Sequence, residues 1–287
     1  MGAAVPRRWR GGGAGERSAP LQSRRGLWQN ERAYGPLFWE GATRNFFLIA
    51  LLLVSGVCSA AAQEGPDFEA ARAQMVRVIQ MEALVTRDVT GVREIDGRVL
   101  AAMSKVPRHE FVPPPLARFA YEDTPLPLDV GQNLAQPFLA ALMTHLLRVK
   151  PGDTVFETGT DCGYQAAVLA ELGAQVYSVE VDEARAAAAA ERLKRLDYRG
   201  VVVKAGDGYF GWAEHGPYDA ILVKQAVDHV PVPLLAQLKP GGRMVVPIGP
   251  ARGTQELTLV EKDHAGKVRR AIVLPVSFMP LQGGQRT

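Results

Sequence analysis

Three residues near the middle of this 287-residue chain have the types and spacing to hold a nucleotide-like ligand: Gly159, Gly163 and, one apolar run later, Glu180. Glycines at such a turn let a ligand approach the main chain with no Cβ in the way, and they permit positive φ. A carboxylate at the end of the following strand can accept both hydroxyls of an adenosine ribose. The pair of signals is sharper than a glycine turn alone, which recurs by chance in a chain with 29 glycines. A plain βα turn with no ligand stays open as the simpler reading.

The elements that must position these residues can be read from the surrounding sequence. Pro151-Gly152-Asp153 makes a turn, Thr154–Phe156 is β-branched and aromatic, and Tyr164–Leu172 is rich in helix formers. Strands are expected at 154–157, 175–180, 200–204, 218–224 and 243–248 with helices between them, which argues for a parallel sheet covered on both faces. Residues 256–260 and 269–274 flank Lys262-Asp-His-Ala-Gly266 as an antiparallel hairpin. Upstream, apolar residues at helical spacing over Asp67–Ala83, and a second short helix over Asp96–Met103, predict a helical cap. Pro113–Pro127 reads as extended, Gly131–Leu134 as a loop, and Gln136-Pro137 as the opening of a helix.

With these stretches in view, the chain resembles the protein-L-isoaspartate O-methyltransferases, a family of class I methyltransferases dependent on S-adenosylmethionine. The resemblance runs from about Asp67 to about Gly283. It rests on Glu157-x-Gly-x-x-x-Gly163 and Glu180, together with Val106-Pro-Arg-His-Glu-Phe-Val-Pro113, Gly131-Gln132, Gln136-Pro137, Gly206-Asp-Gly208, Tyr218-Asp-Ala-Ile221 and Leu238-Lys-Pro-Gly-Gly242. It implies a Rossmann-like α/β fold with a seven-stranded, mostly parallel sheet, a C-terminal antiparallel hairpin and an N-terminal helical cap. It also implies that Glu157, Gly159, Asp161, Gly163, Glu180, Asp207 and Gly208 bind S-adenosylmethionine, with Asp207 at the adenine. Asp207 also reads simply as a turn residue between glycines. It further implies catalytic positions at Asn133, Ala135, where the family usually has a serine, and Gln136, and acceptor binding by Gln132, Pro137 and Lys224, the last after the fourth strand of the parallel run.

Methyl transfer to a carboxylate needs no general base, because the nucleophile is already ionised at neutral pH. Holding the reacting atoms in line and excluding water supply most of the effect, so a shaped pocket is expected rather than a catalytic triad. The family's usual pattern is broken at three places. Ala135 stands where a serine is usual, Asp161 stands inside the glycine turn, and Lys224-Gln-Ala-Val-Asp228 replaces a run of small residues. Lys224 reads equally as a surface charge or as a pocket cation facing a substrate carboxylate. Cys162 reads as a small residue in a serine's place, or as a reactive thiol at a helix start.

The resemblance therefore implies a carboxyl methyltransferase acting on L-isoaspartyl residues of damaged proteins. The alternative is a weakened or inactive module on the same fold that binds damaged or flexible polypeptide. No metal site is expected, since the histidines lack ligand spacing with Cys or acids. A monomer is expected.

Residues 1–62 hold eight Arg and three Glu, so this leader carries +5 against a total of +3 and leaves the body at −2. Nothing in that balance suggests a nucleic-acid surface. Residues 1–45 read as a disordered basic leader and 46–62 as a signal peptide or membrane anchor, leaving 63–287 as the methyltransferase domain. The apolar core Phe46–Val57 ends in Cys58-Ser-Ala-Ala-Ala-Gln63, so an exported or tethered location is expected. Translation from Met75 would remove that expectation and leave the cytoplasm. The two cysteines, Cys58 and Cys162, lie in different segments and indicate no disulfide framework.

Overall fold

The computed structural model describes residues 66–129 and 132–283. The leader and the apolar stretch 46–62 lie outside the described residues. Two helices open the described chain. α1 spans Phe68–Thr90 and starts on Asp67, whose carboxylate accepts from the amides of Glu69 and Ala70. α2 spans Gly97–Lys105, capped in the same way by Asp96. Each cap satisfies amides that have no partner within their helix. A hairpin follows, made of β1 (Leu126–Asp129) and β2 (Gln132–Leu134), and then α3 (Pro137–Leu147), with proline at its first position.

The main domain alternates β3 (Thr154–Thr158), α4 (Tyr164–Glu171), β4 (Gln175–Glu180), α5 (Glu183–Arg195), β5 (Val201–Ala205), β6 (Tyr218–Leu222), α6 (Val232–Ala236) and β7 (Leu238–Ile248). It finishes in β8 (Gln255–Lys262) and β9 (Val268–Val276). The seven strands lie in the order β5-β4-β3-β6-β7-β8-β9. The first five pair in parallel, and β8 runs against both of its neighbours. The Rossmann-like α/β expectation therefore holds, with its mostly parallel sheet, terminal hairpin and helical cap.

Strand periodicity divides the core. Val155, Ala220, Leu222 and Val245 face the layer of α1 to α4, whereas Phe156, Ile221, Val223 and Met244 face the layer that holds Leu234 of α6. All eight are buried. The sheet is thus anchored on both faces, and the ends of β3 and β6 are held in fixed register.

Two expectations before the sheet are corrected. Pro114–Phe119 is a 3-10 helix rather than extended chain, because the φ that proline imposes suits either conformation. Gln132–Leu134 pairs with Leu126–Asp129 as a strand rather than forming a loop, with Leu134 opposite Leu126 and Asn133 opposite Pro127. The pairing buries both leucines.

Candidate active site

In open α/β sheets, ligands sit outside the carboxyl ends of the strands where the strand order reverses. Here that point lies between β3 and β6, and a cavity of about 640 Å³ opens there. Its volume falls within the roughly 300–1,000 Å³ typical of small-molecule sites.

The turn after β3 forms one wall. Gly159 has φ +62, its amide donates to the Val179 carbonyl at 2.7 Å, and a Cβ on it would overlap the Gln225 side-chain amide. Gly163 has φ +90 and packs against Leu193 on the far side of the turn, so it shapes the turn without lining the cavity. Asp161 lies between them at φ +52 and does line it. A non-glycine residue is uncommon in this backbone region, though Asp tolerates it better than most.

Glu180, at the end of β4, is almost fully buried and lines the cavity. Its Oε2 accepts from the Asp161 amide at 3.0 Å and its Oε1 from the Asp182 amide at 3.4 Å. A carboxylate offers about four acceptor positions, so capacity for a diol remains. Gly208 also lines the cavity, and a Cβ on it would press on Thr158 at 3.0 Å. Asp207 does not line it. Its Oδ1 accepts from the Tyr209 amide at 2.9 Å, and the main chain at Gly283 lies against its carboxylate.

Glu157 lies beneath the wall, fully buried. Ser178 donates to its Oε1 at 2.7 Å. Because that uses the only Ser178 hydroxyl proton, Thr160 is the donor in the 2.6 Å contact between the two hydroxyls. Glu157 Oε2 accepts no hydrogen bond from any described residue, and the Lys224 ammonium stands 3.6 Å away. The same ammonium is 3.5 Å from Asp161 Oδ2. Burial pushes the carboxyls of Glu157 and Asp161 above their ordinary range, with the Lys224 charge opposing. Burial works against the Lys224 charge too, but the carboxylates of Glu157 and Asp161 together hold that ammonium above its usual value. Lys224 is therefore a pocket cation; the surface reading is corrected.

The hairpin supplies another wall. Gln132, Asn133, Ala135 and Gln136 line the cavity, whereas Pro137 is buried in the first turn of α3 and does not. Gln132 donates to Asp161 Oδ1 at 3.3 Å, which ties the hairpin to the glycine turn. Asp123 holds the end of this segment, accepting from the Phe138 amide at 2.7 Å and from the Gln136 side chain at 3.3 Å. Arg108, fully buried, donates to the Ala135 carbonyl at 2.6 Å and to the Ala120 carbonyl at 2.7 Å, with its guanidinium 4.6 Å from the Tyr164 ring centre.

The sequence reading missed Arg108, Gln225 and a third wall, Leu274–Gln282. That tail is fixed to the segment after β6, where the Ala226 amide donates to the Met279 carbonyl at 2.8 Å and the Leu281 amide to the Ala226 carbonyl at 2.9 Å. The apolar run Phe278-Met-Pro-Leu281 beyond the last strand is the signal that could have found it. Cys162 is buried, and burial pushes its thiol up, so it is no reactive thiolate. His109 stacks on Phe68 at 3.9 Å and hydrogen-bonds the Tyr121 hydroxyl, as a packing residue.

Comparison with known proteins agrees with this geometry. The family model described as Protein-L-isoaspartate(D-aspartate) O-methyltransferase (PCMT) matches residues 80–286. Protein-L-isoaspartate O-methyltransferase 2 of Syntrophobacter fumaroxidans is 51% identical, over 83% of this chain and 96% of its own length. Protein-L-isoaspartate O-methyltransferase 1 of Cupriavidus necator is 51% identical, over 82% and 91% respectively. A solved protein-L-isoaspartate O-methyltransferase superposes with a TM-score of 0.61 at 29% identity, over 74% of this chain and 66% of the other.

Proposed function

The chain belongs to the protein-L-isoaspartate(D-aspartate) O-methyltransferase family, and from that premise we infer that it methylates the α-carboxyl of L-isoaspartyl residues in damaged proteins, using S-adenosylmethionine. The observation that carries this reading is the single cavity at the strand-order reversal. It brings Glu180 and the glycine turn together with the Gln132–Gln136 hairpin segment.

The residues present fit the cofactor. Glu180 keeps free acceptor capacity at the cavity wall, and Gly159 and Gly208 line the same cavity, their missing Cβ atoms making room for Gln225 and Thr158. S-adenosylmethionine, when bound, supplies a methyl group on a sulfonium. Glu180 would hold the ribose and Gly159 and Asp161 the methionyl end, while Asp207, bonded to Tyr209, would act by shaping the adenine end.

The acceptor carboxylate is ionised at neutral pH, so this chain need not remove a proton. Its task is to orient one anionic oxygen and keep water out. Gln132 and Asn133 bring amide donors to the cavity wall, and Gln136 fixes the turn into α3 through Asp123. With Ala135 in place of a serine, one positioning hydroxyl is absent, and Arg108 holds the loop by its carbonyl. The resulting methyl ester is set up for succinimide closure and hydrolysis, which returns part of the material to aspartate.

The test is methyl transfer from labelled S-adenosylmethionine to paired peptides that differ only in an isoaspartyl or aspartyl linkage. Methylation confined to the isoaspartyl peptide is expected. Cofactor binding with transfer to neither peptide would favour the non-catalytic module. We propose further that the enzyme is a monomer, checked by light scattering, and that residues 46–62 export it or tether it to a membrane. A reporter fused after Gln63 that stays in the cytosol would remove the second statement.

A further inference from the structure

Two of the three departures from the family's usual pattern meet in space. Asp161 replaces a glycine of the turn after β3 and Lys224 replaces a small residue after β6, yet their charged groups stand 3.5 Å apart. Both line the same cavity. Asp161 has left-handed backbone, at φ +52, so the carboxylate is placed there against a conformational cost. Lys224 also faces Glu157, whose Oε2 accepts no hydrogen bond from any described residue. The cavity wall therefore presents a cation and an anion side by side, next to Glu180, whose Oε2 is bonded to the Asp161 amide.

Of the two reactants in the proposed reaction, only the methyl donor carries a free amino-acid head group, with an ammonium and a carboxylate on one carbon. The isoaspartyl residue brings a carboxylate alone, because its nitrogen is an amide. A wall of paired opposite charges is complementary to the first and half mismatched to the second. We propose that Asp161 and Lys224 form a zwitterion-reading pair for the amino-acid end of the methyl donor, Asp161 taking the ammonium and Lys224 the carboxylate. Lys224 is thereby assigned to the donor rather than to the substrate carboxylate. The link from Asp161 to Gln132 at 3.3 Å makes the pair a contact between the donor wall and the acceptor hairpin.

This inference rests on the methyltransferase reading, and the test separates the two. Calorimetric binding to the full chain would compare S-adenosylmethionine, its decarboxylated form and methylthioadenosine, which lacks the amino acid. Wild type is expected to bind the complete cofactor about tenfold or more tighter than the decarboxylated one, as loss of a charge-assisted contact dictates. In Lys224→Met that preference should fall to within about twofold, and Lys224→Arg should restore most of it. In Asp161→Asn the preference for 5′-(3-aminopropylthio)adenosine over methylthioadenosine, both neutral at sulfur and differing in the ammonium arm, should fall by a similar factor.

Ratios within one protein cancel any general loosening of the fold, and Lys224→Arg keeps the assignment testable where Lys224→Met does not fold, since a guanidinium keeps the preference only if the charge at this position reads the carboxylate. Equal wild-type affinity for complete and decarboxylated cofactor would overturn the pair's role. So would an unchanged ratio in Lys224→Met accompanied by a raised KM for the isoaspartyl peptide, which would give Lys224 to the acceptor. Failure of wild type to bind any of the three would instead remove the methyltransferase reading itself, and this proposal with it.

Discussion

The proposed donor wall and the proposed acceptor hairpin face one cavity but are held in opposite ways. On the donor side, Gly159, Asp161 and Glu180 sit at the ends of central strands whose residues are packed on both faces, and main-chain amides tie the turn to β4. On the acceptor side, β1 and β2 form a two-stranded sheet apart from the main one, fixed by the Asp123 carboxylate, the Arg108 guanidinium and two buried leucines. The contrast matches the two partners. A donor of constant shape rewards a rigid seat, whereas an acceptor embedded in varied polypeptide needs a wall that can be adjusted without disturbing the core.

The comparison breaks most readily at Glu180. Glu180→Ala removes two charge-assisted contacts to a diol, at about 1.5–3 kcal/mol each, so affinity for S-adenosylmethionine should fall about 100-fold or more. Calorimetry showing a loss under threefold would mean the donor wall is elsewhere. Arg108→Leu should cost about 2–5 kcal/mol in urea unfolding, because one buried and one part-buried carbonyl lose their donor. It should also raise the KM for the isoaspartyl peptide more than the Kd for the cofactor. An equal rise in both would show that the two halves are not separable.

A gain is expected at Ala135. Ala135→Ser restores one hydroxyl, worth about 0.5–1.5 kcal/mol, and should raise kcat/KM for the peptide about two- to tenfold while leaving cofactor affinity unchanged. No rise would mean that Asn133 already fills that need. The smallest effect concerns acid. His145 of α3 accepts from the Asp96 amide at 3.0 Å, and burial holds its imidazole below the usual value, helped by Arg148 and Arg243 and opposed by Asp96. Its folded pKa lies below the unfolded value of about 6.5, so the unfolded chain takes the proton first on acidification. Stability is fully present above that value and drains as pH falls toward the folded pKa, at no more than about 1.4 kcal/mol per pH unit. Thermal unfolding of His145→Gln should show a flatter profile between pH 7 and 5, with peptide binding loosening before cofactor binding in the wild type.

The donor half was far more legible in the sequence than the acceptor half, and for the same physical reason. Val155-Phe156 and Ala220–Val223 are short apolar stretches that stop at a polar residue next to a turn, and Glu180 closes the mostly β-branched and aromatic Val176–Val179. Three-residue β2 is too short to display a period, and Pro113–Pro127 fits extended and 3-10 backbone equally well. Arg108 acts across 27 residues of sequence, on a carbonyl rather than a side chain, so no local pattern marks it. Lys224 and Asp161 were visible as oddities, but their meeting required the strand order.

The tail has a consequence for synthesis. Residues Leu274–Gln282 wall the cavity and are hydrogen-bonded to Ala226, so the central strands can be paired and packed on a nascent chain while the donor pocket still lacks a side. A chain stopped before residue 274 would keep the parallel strands β3 to β7 but leave the cavity open on one side, so this wall is the last part of the site to be made.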